Sequence, residues 1–146
     1  DVDVHCEAAA RVDVPADALW AMVEDPSTYA QVYPSIAATE LQSDGSYRVD
    51  VRLPWPLPSW PLTVMATRRD GHGSRVLELT DVGGGVGVWS VAQISVTPMP
   101  TGSMVEWSWT GPPHYPGWAR ARIHKTFGHN AVWALAMAAG GEPVAP

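Results

Sequence analysis

Between residues 36 and 109 the chain is a succession of short alternating runs joined by turns, and this arrangement constrains the fold more than any other feature. Tyr47, Val49, Val51 and Leu53 alternate with Arg48, Asp50 and Arg52, a pattern that buries one face of a strand and wets the other. Leu77 and Leu79 flank Glu78, while Ala92, Ile94 and Val96 share one face of a long run ending at Thr97. Val105, Trp107 and Trp109 alternate with Met104, Glu106 and Ser108. Further runs are read over 36–42 and 62–68, and residues 2–14 read as an opening strand. The turns between them are marked by Asp44-Gly45, by Asp70-Gly71 with Gly73, and by the stretch from Pro98 to Gly102. Connections this short join antiparallel neighbours, so the middle of the chain predicts a meander.

Two other patterns break this rhythm. Ala16, Leu19, Trp20 and Val23 recur at helical spacing after Pro15, which suits a first helical position. Asp25-Pro26 ends that helix and opens a second short one, with Tyr29, Val32 and Tyr33 on one side and Pro34 as its stop. At the other end, a helix is expected over 118–139, about 33 Å long and closed by Gly140-Gly141. Its inward stripe is assigned to Ile123, Phe127, Asn130, Ala134 and Ala138. The expected fold is therefore α+β: a curved antiparallel sheet of six to seven strands wraps a long C-terminal helix, with two short helices after the first strand. One domain is expected over 1–140, with 141–146 as a flexible tail. The segment 54–61 holds four prolines and two tryptophans and is read as a stiff aromatic loop rather than a central strand.

The net charge is -6 and no basic run exceeds Arg68-Arg69, which argues against nucleic acid and anionic membrane surfaces as partners. No apolar run is long enough for a membrane span, and the single cysteine, Cys6, rules out an internal disulfide. A cytoplasmic location is slightly favoured, with a removed leader left open because the sequence lacks a starting Met. No His set has metal-ligand spacing, so neither a metal nor a cofactor is expected. The chain carries 8 Trp but only 1 Phe, and large amphipathic rings recur where apolar ligands are held.

These elements suggest a cavity. The second half of the closing helix is rich in alanine, with Ala131, Ala134 and Ala138, and an oily hollow is expected between it and the concave strands. Expected lining residues are Trp55 and Trp60 at the mouth, and Leu79, Trp89, Ile94, Trp107, Trp109, Phe127, Asn130 and Ala134 within. Asn130, an amide in an apolar stripe, would need a hydrogen-bond partner from backbone or ligand.

In its order of motifs the chain resembles the START-like superfamily of polyketide cyclases/dehydrases and lipid-transport proteins, with its helix-grip fold. The resemblance runs from Val12 to Ala139. It is carried by Val14-Pro15-Ala16 with Leu19-Trp20, then Asp25, Tyr29 and Tyr33-Pro34. Leu53-Pro54-Trp55-Pro56-Leu57 resembles a loop of lipid-binding START domains, but Pro58-Ser59-Trp60-Pro61 replaces the charged Ser-Asp-Arg-Asp that normally follows. Val96, Pro98, Gly102-Ser103, Val105 and Trp107 match the last strand pair, and Pro116-Gly117-Trp118 the lead-in to the closing helix. The resemblance implies a hydrophobic tunnel for lipids, isoprenoids or polyketides, used for carriage or sensing. An alternative is a polyketide aromatase/cyclase with Tyr29, Arg68, His114 or Asn130 orienting the substrate. A third reading is a partner-binding module anchored by exposed Trp55 and Trp60. No acid/base set stands out among the residues, which favours binding over catalysis.

Overall fold

The structure, a computed structural model, describes residues 4–52, 59–71, 73–83, 91–111, 130–140 and 143–144. Strand β1 (Val4–Val12) is followed by helix α1 (Ala16–Val23), a 3-10 turn (Pro26–Thr28) and helix α2 (Tyr29–Val32). Strands β2 (Ile36–Leu41), β3 (Tyr47–Val51), β4 (Trp60–Asp70), β5 (Arg75–Asp81), β6 (Val91–Pro98) and β7 (Ser103–Gly111) come next. Helix α3 (Asn130–Ala138) and the two-residue strand β8 (Pro143–Val144) complete the described elements. All strands join one antiparallel sheet in the order β2-β3-β4-β5-β6-β7-β1-β8. Consecutive strands from β2 to β7 are neighbours, as the short turns require.

Period-two alternation puts Val49, Val51, Leu62, Val64, Leu77, Leu79, Ala92, Ile94, Val96, Val105, Trp107 and Trp109 into one buried cluster. Arg68, Leu77, Ile94, Trp107 and Ala8 form one cross-strand row along this face. Leu19, Trp20 and Val23 of α1 and Ala131, Val132, Leu135 and Ala136 of α3 cover the same core.

Two local devices anchor α1. The β6–β7 turn passes so close to the end of β1 that a Cβ on Gly102 would lie 2.2 Å from the Val12 carbonyl oxygen, and Gly102 has φ +74°. Only glycine meets both demands. Next to it, the buried Ser103 hydroxyl donates to the Val14 carbonyl at 2.6 Å. The last turn of α1 carries no basic residue of its own. Its free carbonyls are instead met from outside: Arg68 of β4 donates to Glu24, and the Tyr29 hydroxyl donates to Val23 at 2.6 Å.

Three expectations are corrected. Trp60 and Pro61 belong to β4 rather than to the loop, paired with Val51 and Asp50. Among the described residues the β4–β5 ladder begins only at Val64, so Pro61 has a strand partner on the β3 side alone, where proline is tolerated. Residues Pro143–Val144, expected in a free tail, pair with Val12 and Arg11 as an eighth strand on the edge beside β1. The buried face of α3 is Ala131, Val132, Leu135 and Ala136, whereas Asn130 and Ala138 are exposed and Ala134 is half-buried. The expected stripe is thus about one residue out of phase, a rotation of about 100°. Of the long helix expected over 118–139, the described part is Asn130–Ala138; residues 118–129 lie outside the described residues.

Candidate functional site

The sequence places an aromatic pair on α2. Asp25 opens the 3-10 turn, its carboxylate accepting from the Ser27 amide at 3.0 Å and the Ser27 hydroxyl at 2.7 Å, with Pro26 in the first position. Thr39 of β2 ties this turn down by donating to the Ser27 carbonyl at 2.9 Å. Arg52 does the same beyond α2, donating to the Pro34 carbonyl at 2.7 Å. So held, α2 and the residue after it direct Tyr29 and Tyr33, four positions apart, toward the sheet. Both are buried, and their rings meet edge to face with centroids 5.3 Å apart.

Below this pair lies a narrow apolar hollow. Its walls are Pro26, Tyr29 and Tyr33 from the helical side, Ser35 and Ile36 from the start of β2, Val49, Val64, Leu79 and Trp107 from four further strands, and Ala131 from α3. The space among them comes to about 440 Å³ with its open mouth included, yet only about 20 Å³ admits the centre of a water molecule. That is room for about one water. A second hollow, about 170 Å³ of interatomic space too narrow to admit a water molecule, lies beneath α3, bordered by Tyr33, Ile94, Val105, Trp107, Ala131, Val132 and Leu135. Tyr33, Trp107 and Ala131 border both and form the partition between them. The oily space is therefore thinner than the sequence leads one to expect, because Leu135 and Val132 face the strands where Ala134 and Ala138 were expected.

No charged side chain lines either hollow among the described residues. Burial, reinforced by the neighbouring Tyr33, pushes the Tyr29 phenol well above its ordinary value against the opposing pull of Arg68. Burial alone raises Tyr33 in the same direction. Both phenols are protonated at neutral pH. Among the described residues no group of three His, Cys, Asp or Glu is placed to hold a metal ion, and no helix is long and apolar enough to cross a membrane.

Of the expected site residues, the structure brings Leu79 and Trp107 to the first hollow together with Tyr29, and Ile94 with Trp107 to the second. Trp109 is fully buried on the same sheet face but borders neither hollow, and Ala134 packs on the edge of the core. Asn130 is exposed rather than buried in an apolar stripe, because its position on α3 points away from the strands. Arg68 is exposed and bonded to the Glu24 carbonyl, so it clamps α1 instead of facing the hollow. Trp55, Trp89, His114 and Phe127 lie outside the described residues, as does the side chain of Trp60. Ala131 was expected to face the hollow and does, whereas Tyr33, Ile36, Val49 and Val64 were not singled out as lining residues. The i to i+4 spacing of Tyr29 and Tyr33 was the available signal for the first of them.

The family model for polyketide cyclase / dehydrase and lipid transport matches residues 3–136. The chain belongs to this family. Several solved structures share its fold at low identity. A STAR-related lipid transfer protein from Xanthomonas axonopodis superposes with a TM-score of 0.74 at 21% identity, covering 90% of this chain and 83% of the other. The Zhui aromatase/cyclase from Streptomyces sp. R1128 gives a TM-score of 0.68 at 16% identity over 95% and 94% of the two chains. A START superfamily protein from Mycobacterium smegmatis gives 0.64 at 15% over 95% and 96%. No curated protein matches the chain significantly. Membership accounts for the shared α+β arrangement, in which helices pack on one face of a single antiparallel sheet.

Proposed function

We propose that this family member binds a hydrophobic small molecule, such as a lipid, an isoprenoid or a polyketide-like ring system, for carriage or sensing. The observation that carries the reading is the convergence of apolar side chains from the 3-10 turn, α2, five strands and α3 on one hollow without a charged group among its described walls. Such walls favour an apolar guest by area burial and offer few polar contacts to fix its orientation. The narrowness of the space means that binding parts the walls, with Tyr33 and Trp107 as the side chains that stand between the two hollows. The family description and the STAR-related fold match support the same reading.

A thermal-shift panel of fatty acids, sterols, quinones and polycyclic aromatics tests it. A ligand at a hundredfold excess over its Kd should raise Tm by about 5–10 °C. A panel in which no compound shifts Tm or quenches tryptophan fluorescence would reject it.

The family description also names cyclases and dehydrases, which keeps aldol cyclisation of a polyketide as the second reading. That chemistry needs an acid/base group beside the substrate. The described walls supply two phenols, one already bonded to the Val23 carbonyl. Product analysis with a polyketide chain decides between the readings: an altered product pattern favours cyclisation, an unchanged one favours binding.

A further inference from the structure

Tyr29 and Tyr33 are alike in burial and differ in what their hydroxyls do. Tyr29 donates to the Val23 carbonyl at 2.6 Å. Among the described residues no hydrogen bond reaches the Tyr33 hydroxyl, and burial alone accounts for its raised pKa. The residue is only 5% exposed and borders both hollows. With no acceptor among the described residues, its proton is left to water or to whatever occupies the hollow, and an apolar guest that displaced the water would leave the hydroxyl without a partner.

We infer that the Tyr33 hydroxyl is the polar anchor of the hollow, donating a hydrogen bond to a neutral oxygen on an otherwise apolar ligand. The inference rests on reading the hollow as a binding site, and it narrows the ligand class to molecules with a carbonyl or hydroxyl group. A hydrocarbon would leave the phenol unsatisfied. A carboxylate would lose its hydration among Ile36, Val49, Val64 and Leu79 with one donor in exchange. A phenol held protonated by burial is a donor across the whole neutral range.

Calorimetric titration of wild type and Tyr33→Phe with 2-acetylnaphthalene, 2-ethylnaphthalene and 2-naphthoate tests this. Tyr33→Phe should weaken 2-acetylnaphthalene about fivefold and leave 2-ethylnaphthalene within about twofold. Wild type should bind 2-naphthoate at neutral pH at least about tenfold more weakly than the ketone. The ligand-free Tm of Tyr33→Phe should equal or exceed that of wild type. Equal losses for ketone and hydrocarbon, or tightest binding of the carboxylate, would overturn the anchor while leaving a binding hollow in place. A fall of several degrees in the ligand-free Tm would also overturn it, since the hydroxyl would then already have a partner. Failure of all three probes to bind wild type would remove the binding site and the anchor together.

Discussion

Beneath α1 the sheet face is closed by side chains with no exposure, Leu19 and Val23 among them, and α1 packs against β6, where Val96 is also sealed. Beneath α2 and the start of α3 the same sheet carries Val49, Val64 and Leu79 just as deeply buried, yet they border open space. The two regions share one sheet and one kind of side chain. They differ in how the covering layer is fixed. Helix α1 is held by its own apolar stripe, by the Ser103–Val14 bond and by Arg68 and Arg75, the latter 3.2 Å from Asp17. The α2 segment is one turn long and is held mainly by hydrogen bonds at its rim, from Thr39 and Arg52. Close packing under α1 stabilises the fold; incomplete packing under α2 leaves a place where a guest replaces the missing contacts.

The largest effect expected from this contrast is at Leu19. Leu19→Ala should cost about 3–4 kcal/mol, because the sealed region collapses poorly around a void. Urea unfolding measures it, and a loss below about 1 kcal/mol would contradict the sealed packing.

Filling one buried position off the hollows and one on them sharpens the contrast further. Ala92 is fully buried and borders neither hollow, whereas Ala131 borders both. Ala92→Leu should overpack and cost about 2 kcal/mol. Ala131→Leu should stay within about 1 kcal/mol of wild type and weaken 2-acetylnaphthalene at least about tenfold. The reverse order of stabilities would erase the distinction between the regions.

The smallest effect is alkaline. The phenols of Tyr29 and Tyr33 are raised in the folded state, so their contribution is complete below the unfolded value of 10.0 and declines as pH rises beyond it. Stability should therefore fall above about pH 10, and less steeply in Tyr33→Phe. Parallel curves for the two proteins would show that burial of this phenol is not what resists ionisation.

The strands of the meander were legible because their alternation is strict, as in Leu77-Glu78-Leu79, and because Asp44-Gly45 and Gly102 mark real turns, with φ values of +88° and +74° at the two glycines. Helix α1 was legible from four apolar positions on one stripe. The phase of α3 was not, since alanines at 131, 134, 136, 138 and 139 surround the helix and give little direction to its apolar side. Placing Asn130 on that side then rotated the expected face. The pairing of Trp60-Pro61 was hidden because proline's missing N–H matters only where a neighbouring strand would have used it. For the site, the sequence shows two tyrosines one turn apart but not which hydroxyl is satisfied. That depends on the Val23 carbonyl being a free helix end within reach of Tyr29, a tertiary fact.

Methyl NMR during titration with 2-acetylnaphthalene tests the apolar hollow most directly. The shifts should concentrate on Ile36, Val49, Val64, Leu79 and Ala131, and leave Leu19, Val23 and Val96 unmoved. Shifts spread equally over both sets, or none at saturating probe, would contradict an internal binding site in this region.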